Sequence, residues 1–172
     1  MIETGRGHLP FTLVHGEPLV AAAAWALGEA GVTIVDLGTS WESIEDADTP
    51  FVLHDPLCPM TPPTFVAECV RHAEESSAVT VGVRPVTDTV KQLHHDRVGD
   101  TVDRGELVQV VSPVVLPAAV VAALDALPTT DFAELVAGLA RRFPVETLVA
   151  PAEARRVADD ADVRVLEALT AP

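Results

Sequence analysis

Residues 78–116 read AVTVGVRPVTDTVKQLHHDRVGDTVDRGELVQVVSPVVL, and the reading of this stretch decides the fold. It opens on a β-branched apolar run, Val79, Thr80, Val81 and Val83, which predicts a buried strand. Arg84-Pro85 breaks the run, and Thr87-Asp88-Thr89 follows with hydroxyls and a carboxylate. Lys91, Arg97 and Arg104 then concentrate positive charge in a chain of formal net charge -15. A second apolar run, Leu107 to Val111, stopped by Ser112-Pro113, predicts another strand. So long a polar excursion between two strands is not an ordinary hairpin loop. It is either a disordered loop or an arm that packs on something else.

Upstream, residues 1–16 carry Gly5, Gly7, Pro10 and Gly16 and read as loop. Glu17 to Ala30 reads as a helix, with Pro18 in its first turn and Gly31 as its stop. Val32 to Leu37 reads as a short buried strand, and Gly38 to Asp48 as an acidic loop with one helical turn at Trp41 to Ile44. Phe51 to Leu53 is a strand that delivers His54 and Asp55 at its end. Pro62 to Glu75 repeats apolar residues at helical spacing.

Downstream, Pro117 to Leu127 and Asp131 to Arg142 read as helices, the second capped by Thr130 or Asp131. Val145 to Val149 is a last strand and Asp160 to Leu169 a last helix. Alternating strands and helices predict an α/β layered fold with a largely parallel sheet, formed as one domain over residues 1–172.

Composition narrows the function classes. With 48% hydrophobic residues the chain is not a disordered polymer. No apolar run approaches the ~20 residues that span a bilayer, so no membrane partner is expected. The first residues, MIETGRGHLP, lack the features of a signal peptide, and a cytoplasmic location is the expectation. The net charge argues against nucleic-acid binding, which relies on Lys and Arg to neutralise phosphates. Cys58 and Cys69 give no disulfide framework and read as reduced thiols; the six histidines form no zinc-type set.

In such sheets ligands gather at the carboxyl ends of strands, which directs attention to Asp36, His54-Asp55, Thr87 to Lys91, and Ala150 onward. A carboxylate such as Asp55 at a strand end suits a Mg²⁺ ligand beside a phosphate, and before Pro56 it equally suits a turn cap. Thr87, Thr89, Lys91 and Arg104 suit a phosphate or phosphorylated sugar, and equally a solvated polar arm. Gly5-Arg6-Gly7 has the composition of a glycine-rich phosphate loop but lacks a strand before it to aim its amides.

Taken together in this order, several segments resemble the 2-C-methyl-D-erythritol 4-phosphate cytidylyltransferase family of the non-mevalonate isoprenoid pathway. FVLHDPLCP (51–59) resembles its strand ending in His-Asp-Ala-Ala-Arg-Pro. PVTDTVK (85–91) and TVDRGEL (101–107) resemble the two halves of its arm, and VSPVVLP (111–117) its Thr-Pro-Gln segment. TTDFAELV (129–136) and RVADDADVRVLEAL (156–169) resemble its Thr-Asp-Glu-Ala segment and its tail. GEPLVAAAAWAL (16–27) looks like the helix after its nucleotide loop.

The resemblance implies a three-layer, Rossmann-like nucleotidyltransferase fold with a protruding β-arm and a truncated N-terminal part. It implies attack of a polyol phosphate on the α-phosphate of CTP with Mg²⁺, in a homodimer joined by the arm, about residues 84–108. Asp55 would be the metal ligand; Gly5 and Gly7 would be remnants of the nucleotide loop. Arg6 and Arg156 would be catalytic, and Thr89, Lys91, Arg104 and Ser112 would hold the sugar phosphate, the arm residues in the neighbour's site.

The departures concentrate on the nucleotide side. Phe11 stands after Pro10 where the family has a catalytic lysine, Cys58 replaces an arginine, and Val114 a glutamine. Arg156 stands for a lysine. GTSWESIEDADT (38–49) is too short and acidic to supply the family's cytidine-binding motif. Each lost transition-state donor costs roughly 10²–10³ in rate. The expectation is therefore a dimerising homologue with lost or much reduced CTP-dependent activity, pairing with itself or with an active relative. The alternatives are an active Mg²⁺-dependent nucleotidyltransferase, or a binder of sugar or polyol phosphates.

Overall fold

The computed structural model describes residues 7–36 and 38–171. A short antiparallel pair, β1 (Leu13–Val14) and β2 (Glu17–Pro18), leads into α1 (Leu19–Glu29). Helix α2 (Trp41–Glu45), strand β3 (Phe51–Leu53), helix α3 (Pro63–Ser76) and strand β4 (Val79–Pro85) follow. The arm is a hairpin of β5 (Val90–His94) and β6 (Arg97–Val102), from which the chain returns along β7 (Val108–Leu116). Helices α4 (Ala118–Val121) and α5 (Phe132–Leu139), strand β8 (Val145–Val149) and helix α6 (Asp160–Leu169) complete the described chain.

The main sheet has the order β3-β7-β4-β8. Three of its strands run the same way, and β7, inserted between β3 and β4, runs against them. Alternation along the strands gives each face its own layer. Val79, Val81, Val83, Val114 and Leu116 pack under α4 and α5, against Val120, Phe132, Leu135 and Leu139. Val111 and Val115 face Phe65, Cys69 and Ala73 of α3 on the other side. A third cluster, Val14, Leu19, Leu57, Val157, Val163 and Leu166, joins α1 and α6 to the loops after β3 and β8. The three-layer α/β arrangement expected from the sequence is the one observed.

Three expected elements differ. Val32 to Val35 is not a buried strand: Ile34 and Val35 are exposed, and among the described residues Thr33 to Val35 make no backbone–backbone hydrogen bond. The β-branched side chains favour an extended chain, but a strand also needs a neighbour for its amides, and none of the described residues supplies one. Leu37 lies outside the described residues. The helix expected over 117–127 stops after Val121. The carbonyls of Ala123 and Leu124 are taken by side chains instead, by Arg142 Nη2 at 3.0 Å and Trp41 Nε1 at 2.7 Å.

Nor does Ser112-Pro113 end a strand, since β7 runs straight through it with a cis peptide bond. Its register against β4 shifts between Val81 and Val83, so the missing N–H of Pro113 falls where the ladder is already interrupted. Gly82 sits at that interruption. A Cβ there would lie 2.9 Å from the Ser112 carbonyl oxygen and 3.3 Å from the Phe65 ring. Gly82→Ala is expected to lower stability by about 1–3 kcal/mol, because backbone in a central strand cannot step aside. Urea unfolding midpoints measure this, and an unchanged midpoint would show that the two strands part without cost.

Candidate active site

Strand β3 delivers His54 and Asp55 into the domain, and Ser112 on β7 fixes both. The Asp55 N–H donates to Ser112 Oγ at 2.9 Å, and the same oxygen lies 2.7 Å from His54 Nδ1. All three residues are buried. A serine hydroxyl has one proton, and giving it to Nδ1 while accepting from Asp55 uses both capacities of the group. Among the described residues His54 Nε2 has no hydrogen-bond partner. The Cys58 backbone lies close enough to favour the charged ring slightly without closing a bond that meets hydrogen-bond geometry.

Asp55 is held by its own loop and by the tail. Its Oδ1 accepts from the Leu57 N–H at 3.0 Å, in an Asx-type turn, and its Oδ2 accepts from Arg156 Nε at 3.0 Å. The Val157 N–H donates to the Leu57 carbonyl at 2.7 Å, which lashes the tail to this loop. Asp162 in the first turn of α6 holds the tail from the far side, binding Arg155 Nη2 at 2.6 Å and the Ala158 N–H at 2.9 Å. Asp159 caps α6 through the Ala161 and Asp162 amides. Arg156 is thus oriented between two anchored residues.

These groups open onto a cleft of about 280 Å³ lined by Asp55, Cys58, Val110, Asp131, Phe132 and Arg156, among others. Asp131 caps α5, its Oδ1 accepting from the Glu134 N–H at 2.9 Å. From sequence it read only as a cap; that a cap at the start of α5 also borders the cleft follows from the layer packing. Of the residues predicted from sequence, the structure brings together Asp55, Ser112 and Arg156. It does not bring Thr89, Lys91 or Arg104 to this cleft. They sit exposed on the arm, where Lys91 Nζ donates to Thr101 Oγ1 at 2.5 Å and Arg104 Nη1 to the Thr87 carbonyl at 2.5 Å. Gly7 has φ +60 and does not line the cleft. Gly5 and Arg6 lie outside the described residues.

Whether these residues fit Mg²⁺ turns on Asp55. Mg²⁺ often takes one or two carboxylates and completes its shell with water and substrate phosphates. Asp55 offers such a carboxylate at a strand end, but with a guanidinium already against it. Among the described residues no group of three or more His, Cys, Asp and Glu side chains is placed to hold a metal ion. Asp55 would be the residue to hold such an ion, with water and substrate phosphates completing its shell.

The layered sheet, the loop after β3 and the protruding hairpin define a nucleotidyltransferase-type domain. Solved structures share this fold, among them the two that follow. The 2-C-methyl-D-erythritol 4-phosphate cytidylyltransferase of Thermus thermophilus superposes with a TM-score of 0.70 at 22% identity, covering 95% of this chain and 94% of that one. The 4-diphosphocytidyl-2C-methyl-D-erythritol synthase of Anaerococcus prevotii gives 0.69 at 13% identity, with 95% and 93% covered.

The family model for 2-C-methyl-D-erythritol 4-phosphate cytidylyltransferase matches residues 36–138, and the chain belongs to that family. A relative of that description from Saccharopolyspora erythraea is 36% identical over 130 residues, 70% of this chain and 54% of its own. One from Frankia casuarinae is 34% identical over 135 residues, 75% of this chain and 49% of its own. The chain thus spans about half the length of these relatives.

The geometry of Ser112 and His54 has two measurable consequences. Ser112→Ala strips a partner from two buried groups, the Asp55 N–H and His54 Nδ1, and is expected to cost about 2–4 kcal/mol of stability. Ser112→Thr keeps the hydroxyl and is expected to recover part of that loss in the same denaturant titration.

The second concerns pH. Burial lowers the His54 pKa from 6.5 to about 4, against the opposing pull of the Asp55 charge. Between those values the unfolded chain binds a proton that the folded chain refuses. Stability is therefore full above the unfolded pKa and falls as pH drops through the window, by up to about 3 kcal/mol. Subtracting the profile of His54→Gln isolates this contribution from that of the carboxylates. A flat difference profile would show that folding leaves the His54 pKa where it is in the unfolded chain.

Proposed function

We propose that this family member acts as an assembling, non-catalytic homologue of the cytidylyltransferases, associating through the arm of residues 84–108. The observation that carries this reading is the arm itself. Strands β5 and β6 pair only with each other among the described strands, and Leu93 and Val98 are each 72% exposed. A lone two-stranded hairpin is at best marginally stable in water, so it gains by docking on a second surface. A second copy, or an active relative of the same fold, offers that surface.

The nucleotide side supports the non-catalytic half of the reading. Phe11, where the resemblance places a lysine, is exposed and apolar, and Asp55 is engaged by Arg156. A phosphoryl transfer draws most of its rate from placed positive charge, which an aromatic ring cannot supply.

One observation favours a second reading. Asp55, Arg156 and Asp131 still border one cleft, which suits a Mg²⁺-dependent nucleotidyltransferase acting on CTP and a polyol phosphate, or a site that binds the phosphate without turnover.

Light scattering and calorimetry separate the two. The expected result is a dimer that becomes monomeric when residues 87–106 are replaced by a short Gly-Ser turn, with no heat from CTP and Mg²⁺ at millimolar concentration. A monomer in the intact protein removes the assembly reading. Pyrophosphate release from CTP and methylerythritol phosphate, abolished by Asp55→Asn, would establish the catalytic one.

A further inference from the structure

We propose that the cleft beside Asp55 selects a small, uncharged polyol over its phosphate ester, and that Cys58 and Asp131 set this preference. The inference rests on the second reading above, in which the cleft holds a small molecule, and not on assembly through the arm.

The cleft has a volume of about 280 Å³. Ligand pockets usually run from about 300 to 1,000 Å³, so its occupant is a small one. Asp55, Asp131 and Arg156 are its charged groups, and Cys58, Val110, Val111 and Phe132 form an apolar wall. Arg156 donates from Nε to Asp55, and among the described residues its Nη1 and Nη2 have no hydrogen-bond partner. Asp131 accepts the Glu134 N–H on Oδ1, and among the described residues its Oδ2 has no partner. Open donors and an open acceptor therefore border the same space. A hydroxyl satisfies both, since it accepts from a guanidinium and donates to a carboxylate.

A phosphate monoester satisfies only one of them. At neutral pH it carries a charge of about −1.5 to −2 and acts as an acceptor. Among the described residues lining the cleft, Arg156 is the one cation, and it is already engaged by Asp55. Asp131 adds a second negative charge beside the pair, so a dianion enters a site of like sign.

Cys58 decides the point. The family pattern has an arginine at this position, whose forked donors would offset Asp131. Cys58 is instead fully buried, in one cluster with Phe65, Cys69, Val111 and Val115. A buried thiol behaves as a small hydrophobe. This wall suits the C–H face of a carbon chain and offers no charge to a phosphate.

Two-dimensional NMR of the isotope-labelled intact chain, titrated with erythritol and separately with its phosphate monoester, tests the preference. Erythritol is expected to move the Val111 and Ala133 amide signals and the Arg156 Nε–H saturably, in the millimolar range. The monoester is expected to bind about fivefold more weakly, or worse. Asp131→Asn removes a charge and keeps the shape of the cap. It is expected to raise affinity for the monoester about tenfold and to change that for erythritol by less than about threefold. Cys58→Arg is expected to act in the same direction. If that buried position does not accept the larger side chain, Asp131→Asn carries the test alone.

Binding of the monoester as tight as that of erythritol, or tighter, overturns the inference and leaves the second reading in place. Arg104→Gln then tells whether a cation of the arm is the cause. An Asp131→Asn variant that still disfavours the monoester to the same degree overturns it too. Shifts confined to residues outside the cleft, or no binding of either compound at tens of millimolar, overturn the inference and the second reading together.

Discussion

One buried oxygen atom couples the scaffold of this domain to its site. Strand β7 lies between β3 and β4, and both of its neighbours pair with it across the middle of the sheet. At Ser112 its register against β4 is interrupted, and there Ser112 Oγ meets the Asp55 N–H and His54 Nδ1. Such a bond is worth only about 1 kcal/mol net, but leaving its partners buried and unpaired costs more. The direction of Asp55 is thus set by an irregularity in a strand that sits far from it in sequence. The irregularity in turn needs Gly82, because a side chain there would strike the Ser112 carbonyl.

How much of this could be read beforehand depended on whether the signal was local. Helix α6 runs Asp160 to Leu169 as its periodicity and Asp159 cap dictate, and α3 differs from expectation by a residue at each end. The arm was legible as a polar excursion too long for a turn, and it forms a hairpin with His95 in the left-handed region at its tip. Val32 to Val35 misled because apolar, β-branched composition reports a preference for extended backbone, whereas a strand is a property of two segments. Ser112-Pro113 misled for the converse reason. Proline ends a strand only where its N–H is needed, and here the ladder does not call on it.

The site was legible partly by pattern and partly by likeness. Asp55 and Arg156 are 101 positions apart, and no periodicity joins them; Asp55 stood out by its place at a strand end, Arg156 only by its match to a family segment. His54 and Asp131 were visible as residue types at element ends, yet their roles depend on contacts across the core. The Asp162 anchor that orients the tail was not foreseen at all, since an Asp in the first turn of a helix reads as a response to the helix dipole. Only the fold shows that it also reaches back to Arg155 and the Ala158 N–H.

The distribution of charge bears on how the domain meets other molecules. Apart from Arg6, every Lys and Arg lies from residue 71 onward, in α3 at Arg71 and then in β4 and the arm, the region after α5, and the tail with α6. A net charge of -15 repels phosphates at a distance, but at physiological salt that repulsion fades beyond about 8 Å. Recognition of an anion by this half of the molecule is therefore a matter of contact and not of long-range attraction. On the arm, Lys91 and Arg104 are already held by Thr101 and the Thr87 carbonyl, so these two cations have little side-chain freedom left to lose in a further contact. Leu93 and Val98 on the same hairpin are exposed, and burial of such apolar side chains is favourable.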